Sequence, residues 1–194
     1  MTTPDAVACA VEAGVDALGF VFASSVRQLT PAVAAKLAAP ARGRLSCIAV
    51  TRQPTQRTLD EILEVFRPDV LQTDAQDLAG LALPASLALL PVFREHTGSR
   101  QLPLRMLFEA AESGSGLPCD WSSAGELAHR SELILAGGLS AANIKAALEQ
   151  VRPFGVDVST GVEARPGMKD TRAIVRFVAL VREQDALRRP QEKS

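Results

Sequence analysis

The chain has almost no surplus of charge: 21 Lys and Arg stand against 22 Asp and Glu, a formal net charge of -1. Gripping phosphate backbones or an anionic membrane takes clustered cations, so no nucleic acid and no membrane is expected as a partner. Cysteine is scarce as well. Cys9, Cys47 and Cys119 are odd in number, far apart and without a CxxC spacing or paired histidines, which argues against a disulfide framework and against a zinc site. Cys9 and Cys47 read as small apolar fillers. No apolar run approaches the roughly 20 residues of a spanning helix, and the first residues lack the basic-then-apolar order of a signal peptide, so a cytoplasmic protein is expected. No Gly-rich dinucleotide fingerprint follows the first predicted strand. The only lysines, Lys36, Lys145, Lys169 and Lys193, fall outside the predicted strands.

What is present is alternation. In "TTPDAVACAVEAG" Thr3 is placed as an N-cap, Pro4 as the first helical residue and Gly14 as the stop. The apolar run "DALGFVF" follows at strand length. The same pairing recurs along the chain and yields seven predicted strands, each too continuously apolar to have a wet face. That pattern predicts one domain, an α/β fold with a parallel sheet covered by helices. A (βα)8 TIM barrel lacking its first β-strand fits the count, with a doubly wound open sheet as the alternative. Residues 187–194 are expected to fray.

In such barrels the reactive groups stand at the C-terminal ends of the strands. Two consecutive loops near the end of the chain are notable there. "LILAGGLSAANI" places Gly137 and Gly138 between strand and helix, and "GVDVSTGVE" places Ser159, Thr160 and Gly161 one unit later. Glycines let backbone N–H groups approach an anion, and a following helix N-terminus favours negative charge, so the two loops together predict a phosphate site.

The stretches "GVDALGFVFASSVRQLTP", "ILAGGLSAANI", "VRPFGVDVSTGVEARPGMKD" and "CDWSSA" around Trp121 resemble the phosphoribosylanthranilate isomerase family of tryptophan biosynthesis, over nearly the whole chain. The resemblance implies a cofactor-free Amadori rearrangement of a small phosphorylated ribosylamine, by a monomer or homodimer. It implies that Arg27 contacts the anthranilate carboxylate, for which a planar fork of donors suits better than Lys. Gly137, Gly138, Ser159, Thr160 and Gly161 would hold the phosphate, and Asp157 would lie near the ribose. Glu109, ending "RMLFE", would be the general acid where the family has an aspartate, with Glu112 close by as an alternative. Its extra methylene must be compensated by the backbone or by the substrate's position.

Other positions depart from the family. Gln72 is kept, but Asp74 stands where a histidine is usual and Leu117 where a lysine is common. His96 and His129 are placed on the surface. The family's general base is a cysteine ending strand one, a strand that the resemblance places ahead of Met1, and Cys9 falls inside the first helix instead. From this follows the expectation that Met1 is an internal methionine of a longer product, and that the chain as written is unstable or nearly inactive. Two other functions compete. A different phosphosugar epimerase or synthase would need a metal cluster or a strand-end lysine, and a non-catalytic binding module would keep the phosphate loops and Arg27 alone.

Overall fold

Residues 1–94, 102–110 and 120–188 are described by the computed structural model. The first helix forms where the capping residues demand it. Thr3 is extended, with φ at -133°, and its hydroxyl accepts the Ala6 N–H, so that α1 runs Pro4–Glu12. Its buried residues, Ala6, Val7, Ala10 and Val11, recur at helical spacing. Gly14, at φ +77°, then reverses the chain into the first strand.

The strands are β1 (Ala17–Val21), β2 (Ser46–Val50), β3 (Val70–Asp74), β4 (Ala88–Arg94), β5 (Arg105–Glu109), β6 (Glu132–Leu135) and β7 (Gly155–Val156). Among the described residues they form one seven-stranded sheet in chain order. Every recorded register is parallel, for example Leu18 opposite Cys47 and Leu133 opposite Met106. A separate two-stranded sheet, β8 (Glu163–Arg165) with β9 (Met168–Lys169), precedes the last helix. That hairpin was not expected, and it places Lys169 in a strand, though one outside the main sheet.

The helices are α2 (Pro31–Ala38), α3 (Gln56–Glu61), α4 (Trp121–Ala128), α5 (Ile144–Val151) and α6 (Thr171–Arg188), together with α1. "AQDLAGL", expected as a weak helix, is a 3₁₀ segment over Ala75–Gly80. Leu187, expected in a frayed tail, is the penultimate residue of α6. No helix among the described residues is long and apolar enough to cross a membrane.

By contacts the chain divides into two compact units, one of residues 1–92 and 164–171, the other of 93–163 and 172–194. In the first, Leu18, Phe20, Cys47, Ala49 and Leu71 are buried under the helices, and the Phe20 and Phe22 rings each lie 5.2 Å from that of Phe66. The intervening residues Gly19, Val21, Ile48 and Val50 are only half-buried, and Leu89 is 39% exposed. The expectation of strands without a wet face is therefore corrected: one face of these strands is packed and the other is partly open. In the second unit Met106, Leu107, Leu133, Leu135, Ile144, Ala147 and Val151 form the core.

Candidate active site

The groups expected to do chemistry all follow or finish strands, and each unit holds a distinct set. Arg27 belongs to the first. The loop that carries it is tied back to β1: Leu29 N–H donates to Val21 O at 2.9 Å, and the Gln28 side chain donates to Phe22 O at 3.1 Å. Gly167, between β8 and β9, lies against the same loop. A Cβ on Gly167 would stand 2.9 Å from Val26 O, and its φ of +81° already disfavours a side chain. Thr2 Oγ1 donates to Gly167 O at 2.6 Å.

Asp74, which the resemblance sets where a histidine is usual, is nearly buried at the end of β3, with Arg52 Nε 3.6 Å from its carboxylate. Next to it Thr73 is fully buried and donates its hydroxyl to Asp77 at 3.1 Å. Gln72 is half-buried, and its carbonyl accepts the Thr51 N–H at 2.8 Å.

The second unit contains Glu109, Gly137, Gly138, Asp157, Ser159, Thr160 and Gly161. Glu109 is the last residue of β5, and its carboxylate makes a short ion pair with Arg94, the last residue of the neighbouring strand β4. The two side chains are only 14% and 17% exposed. Asp157 lies one residue beyond β7 rather than within it, and its N–H still donates to Leu135 O at 2.9 Å.

The two glycine loops are brought together by their backbones. Ser140 and Gly161 form a parallel bridge. A Cβ on Gly161 would stand 1.9 Å from Leu139 O, so no residue with a side chain fits without separating the loops. Gly137 and Gly138 have φ of +87° and +60°. Asn143 fastens the first loop on both sides: its Oδ1 accepts the Ser140 N–H at 2.8 Å and its Nδ2 donates to Gly138 O at 2.9 Å. Helix α5 begins directly afterwards at Ile144. The second loop leads into the hairpin instead, so the expectation of a helix N-terminus after each loop holds only for the first.

Three sequence-based placements are resolved plainly. Cys9 lies inside α1 and its thiol donates to Thr171 O at 3.4 Å; burial, and then the charge of Glu12, push it further from the thiolate. Cys47 is fully buried, and burial likewise pushes its thiol up. His129 caps α4 and is exposed. His96, Glu112, Leu117 and Cys119 lie outside the described residues. Among the described residues no three His, Cys, Asp or Glu side chains converge as metal ligands. No sequence motif marks Arg94 or Asn143, although Arg94 closes the apolar run "LALLPVFR" at a strand end.

The family described as N-(5'-phosphoribosyl)anthranilate (PRA) isomerase matches residues 1–180. The chain belongs to this family. The N-(5'-phosphoribosyl)anthranilate isomerase of Rhizobium etli is 34% identical over 206 residues, covering 96% of this chain and 93% of that one. Among solved structures, TrpF from Jonesia denitrificans is 30% identical with a TM-score of 0.78, covering 97% of this chain and 96% of its own. The phosphoribosyl anthranilate isomerase of Thermus thermophilus has a TM-score of 0.81 at 23% identity, covering 94% and 96%, which shows the shared fold. Two further structures, each 24% identical over 94% of this chain and 95% of theirs, share the fold. One, with a TM-score of 0.75, holds reduced 1-(o-carboxyphenylamino)-1-deoxyribulose 5-phosphate. The other, with a TM-score of 0.78, is a monomerised form of the dimeric enzyme of Thermotoga maritima.

Proposed function

We infer that this chain is a phosphoribosylanthranilate isomerase of tryptophan biosynthesis, with Glu109 as its general acid. The observation that carries the assignment is the order of groups along β5, β6 and β7. A carboxylate ends the first, and glycine loops locked backbone to backbone follow the other two. Strand C-termini are where parallel α/β enzymes of this kind do their chemistry.

The rearrangement opens the ribose ring and moves a proton. Glu109 gives its proton to the ring oxygen, the C1–O bond's electron pair goes to that oxygen, and the anthranilate nitrogen's lone pair forms a C=N bond to C1. Loss of the C2 proton to a base then gives an enolamine, which tautomerises to the ketone product. Backbone N–H groups of the Gly137–Gly138 and Ser159–Gly161 loops hold the phosphate, aided by the start of α5. Asp157 accepts from the ribose hydroxyls, and Arg27 forks onto the anthranilate carboxylate. Cys9 is not the base, since it lies within α1 and its thiol is engaged on Thr171 O. No metal or cofactor is called for, because both steps are proton transfers. The accompanying fold reading is a (βα)8 barrel one strand short as the chain stands, in a cytoplasmic monomer or homodimer.

Protein purified from its own source should convert N-(5'-phosphoribosyl)anthranilate. Glu109→Gln should cut turnover by ~10²–10⁴-fold while reduced 1-(o-carboxyphenylamino)-1-deoxyribulose 5-phosphate still binds. Undiminished turnover by that variant would remove Glu109 from the role. Tight binding without turnover by the wild type would favour a binding module.

A further inference from the structure

We propose that Arg94 is a positioning residue for the general acid, holding the Glu109 carboxyl in place at the strand ends. The inference rests on the reading of Glu109 as that acid. The two side chains finish adjacent strands of the sheet, and their ion pair is short and almost screened from solvent. Glutamate has one more rotatable bond than the aspartate it replaces, so a carboxyl on its end wanders more before it meets the ring oxygen. A guanidinium anchored at the end of β4 removes that freedom with a planar set of donors.

The same contact works on the reaction itself. Before ring opening Glu109 must carry a proton. As the proton passes to the ring oxygen and the C1–O electron pair follows it onto oxygen, the Glu109 carboxyl becomes a carboxylate beside Arg94. Since the ion pair already exists in the resting protein, Arg94 acts by fixing where the carboxyl stands relative to the ring oxygen, which affects the barrier rather than the substrate's dissociation constant. At 14% and 17% exposure, little water competes for the pair. The signature of Arg94 is thus a change in kcat with KM left alone, and it exists only when Glu109 is present to be held in place.

The test is a mutant cycle in the protein expressed from its own gene: Arg94→Lys, Arg94→Gln, Glu109→Gln and the two doubles, each checked by thermal melting and by binding of the reduced product analogue. Arg94→Gln should lower kcat on the order of 10²-fold with KM within about threefold, and Arg94→Lys should recover part of that loss. In the Glu109→Gln background either change should cost less than about threefold. Should Arg94→Gln fail to fold, Arg94→Lys with its double carries the comparison. Equal losses in both backgrounds, or a rise in KM at constant kcat, would overturn the role. Full turnover by Glu109→Gln, or none by the wild type, would instead strike the reading of Glu109 and this inference with it.

Discussion

Arg27 and Gly161 show how differently single residues declare themselves. Arg27 is marked by the family resemblance alone, which implies a contact with the anthranilate carboxylate that a planar guanidinium suits. Replacing it by Lys should raise KM for the anthranilate substrate about tenfold, the loss of one charge-assisted hydrogen bond of ~1.5 kcal/mol, with kcat changed less than about threefold. Steady-state kinetics separates the two. Gly161 is legible from the sequence as part of a glycine loop, but the reason it must be glycine is not. Its Cβ position is occupied by Leu139 O, 1.9 Å away, from a loop more than twenty residues earlier in the chain. Gly161→Ala should therefore destabilise the protein by ~1–3 kcal/mol and weaken phosphate binding. A denaturant melt with and without inorganic phosphate reads both effects.

At the level of elements, local signals decided where most helices begin. Thr3, Thr30 and Thr55 each cap a helix with a hydroxyl accepting a backbone N–H. Asp120 does the same for α4, accepting from Ser122 N–H at 3.0 Å and from the Ser123 hydroxyl at 2.6 Å. The Ser123 hydroxyl, then the Ser122 N–H, hold its carboxyl below the ordinary 3.8. A carboxylate depressed in the folded state stabilises above its unfolded value and loses that contribution as pH falls through the folded one. The α4 cap should thus weaken below about pH 4. Asp120→Asn, which caps without titrating, should flatten this part of the melting temperature profile below about pH 4. Other element features had no local signal. The helix after Thr55 ends in a π turn at Ile62–Phe66, and Arg67 follows at φ +53°. Arg42, from a distant segment, donates to the Phe66 and Arg67 carbonyls and stacks on the Phe66 ring at 5.0 Å. The β8–β9 hairpin likewise takes its place from contacts with Thr2 and Val26 rather than from its own short sequence.

For the molecule as a whole, an isomerase that holds its ligand through loops of this kind should be stabilised by occupancy. Reduced 1-(o-carboxyphenylamino)-1-deoxyribulose 5-phosphate at a hundred times its Kd should add ~2.7 kcal/mol, visible as a rise in melting temperature. The absence of any rise would contradict the binding site. The sequence by itself determined the alternation of elements and the parallel sheet, because apolar periodicity and capping are local properties of the chain. It also determined the family and the strand-end position of Glu109. Only the tertiary structure decided that Arg94 meets Glu109, that Asn143 and Gly161 lock two loops, and that alternate residues of the first unit's strands stay half-exposed. These depend on which distant backbone lies alongside, and no period or motif within one segment encodes its neighbour.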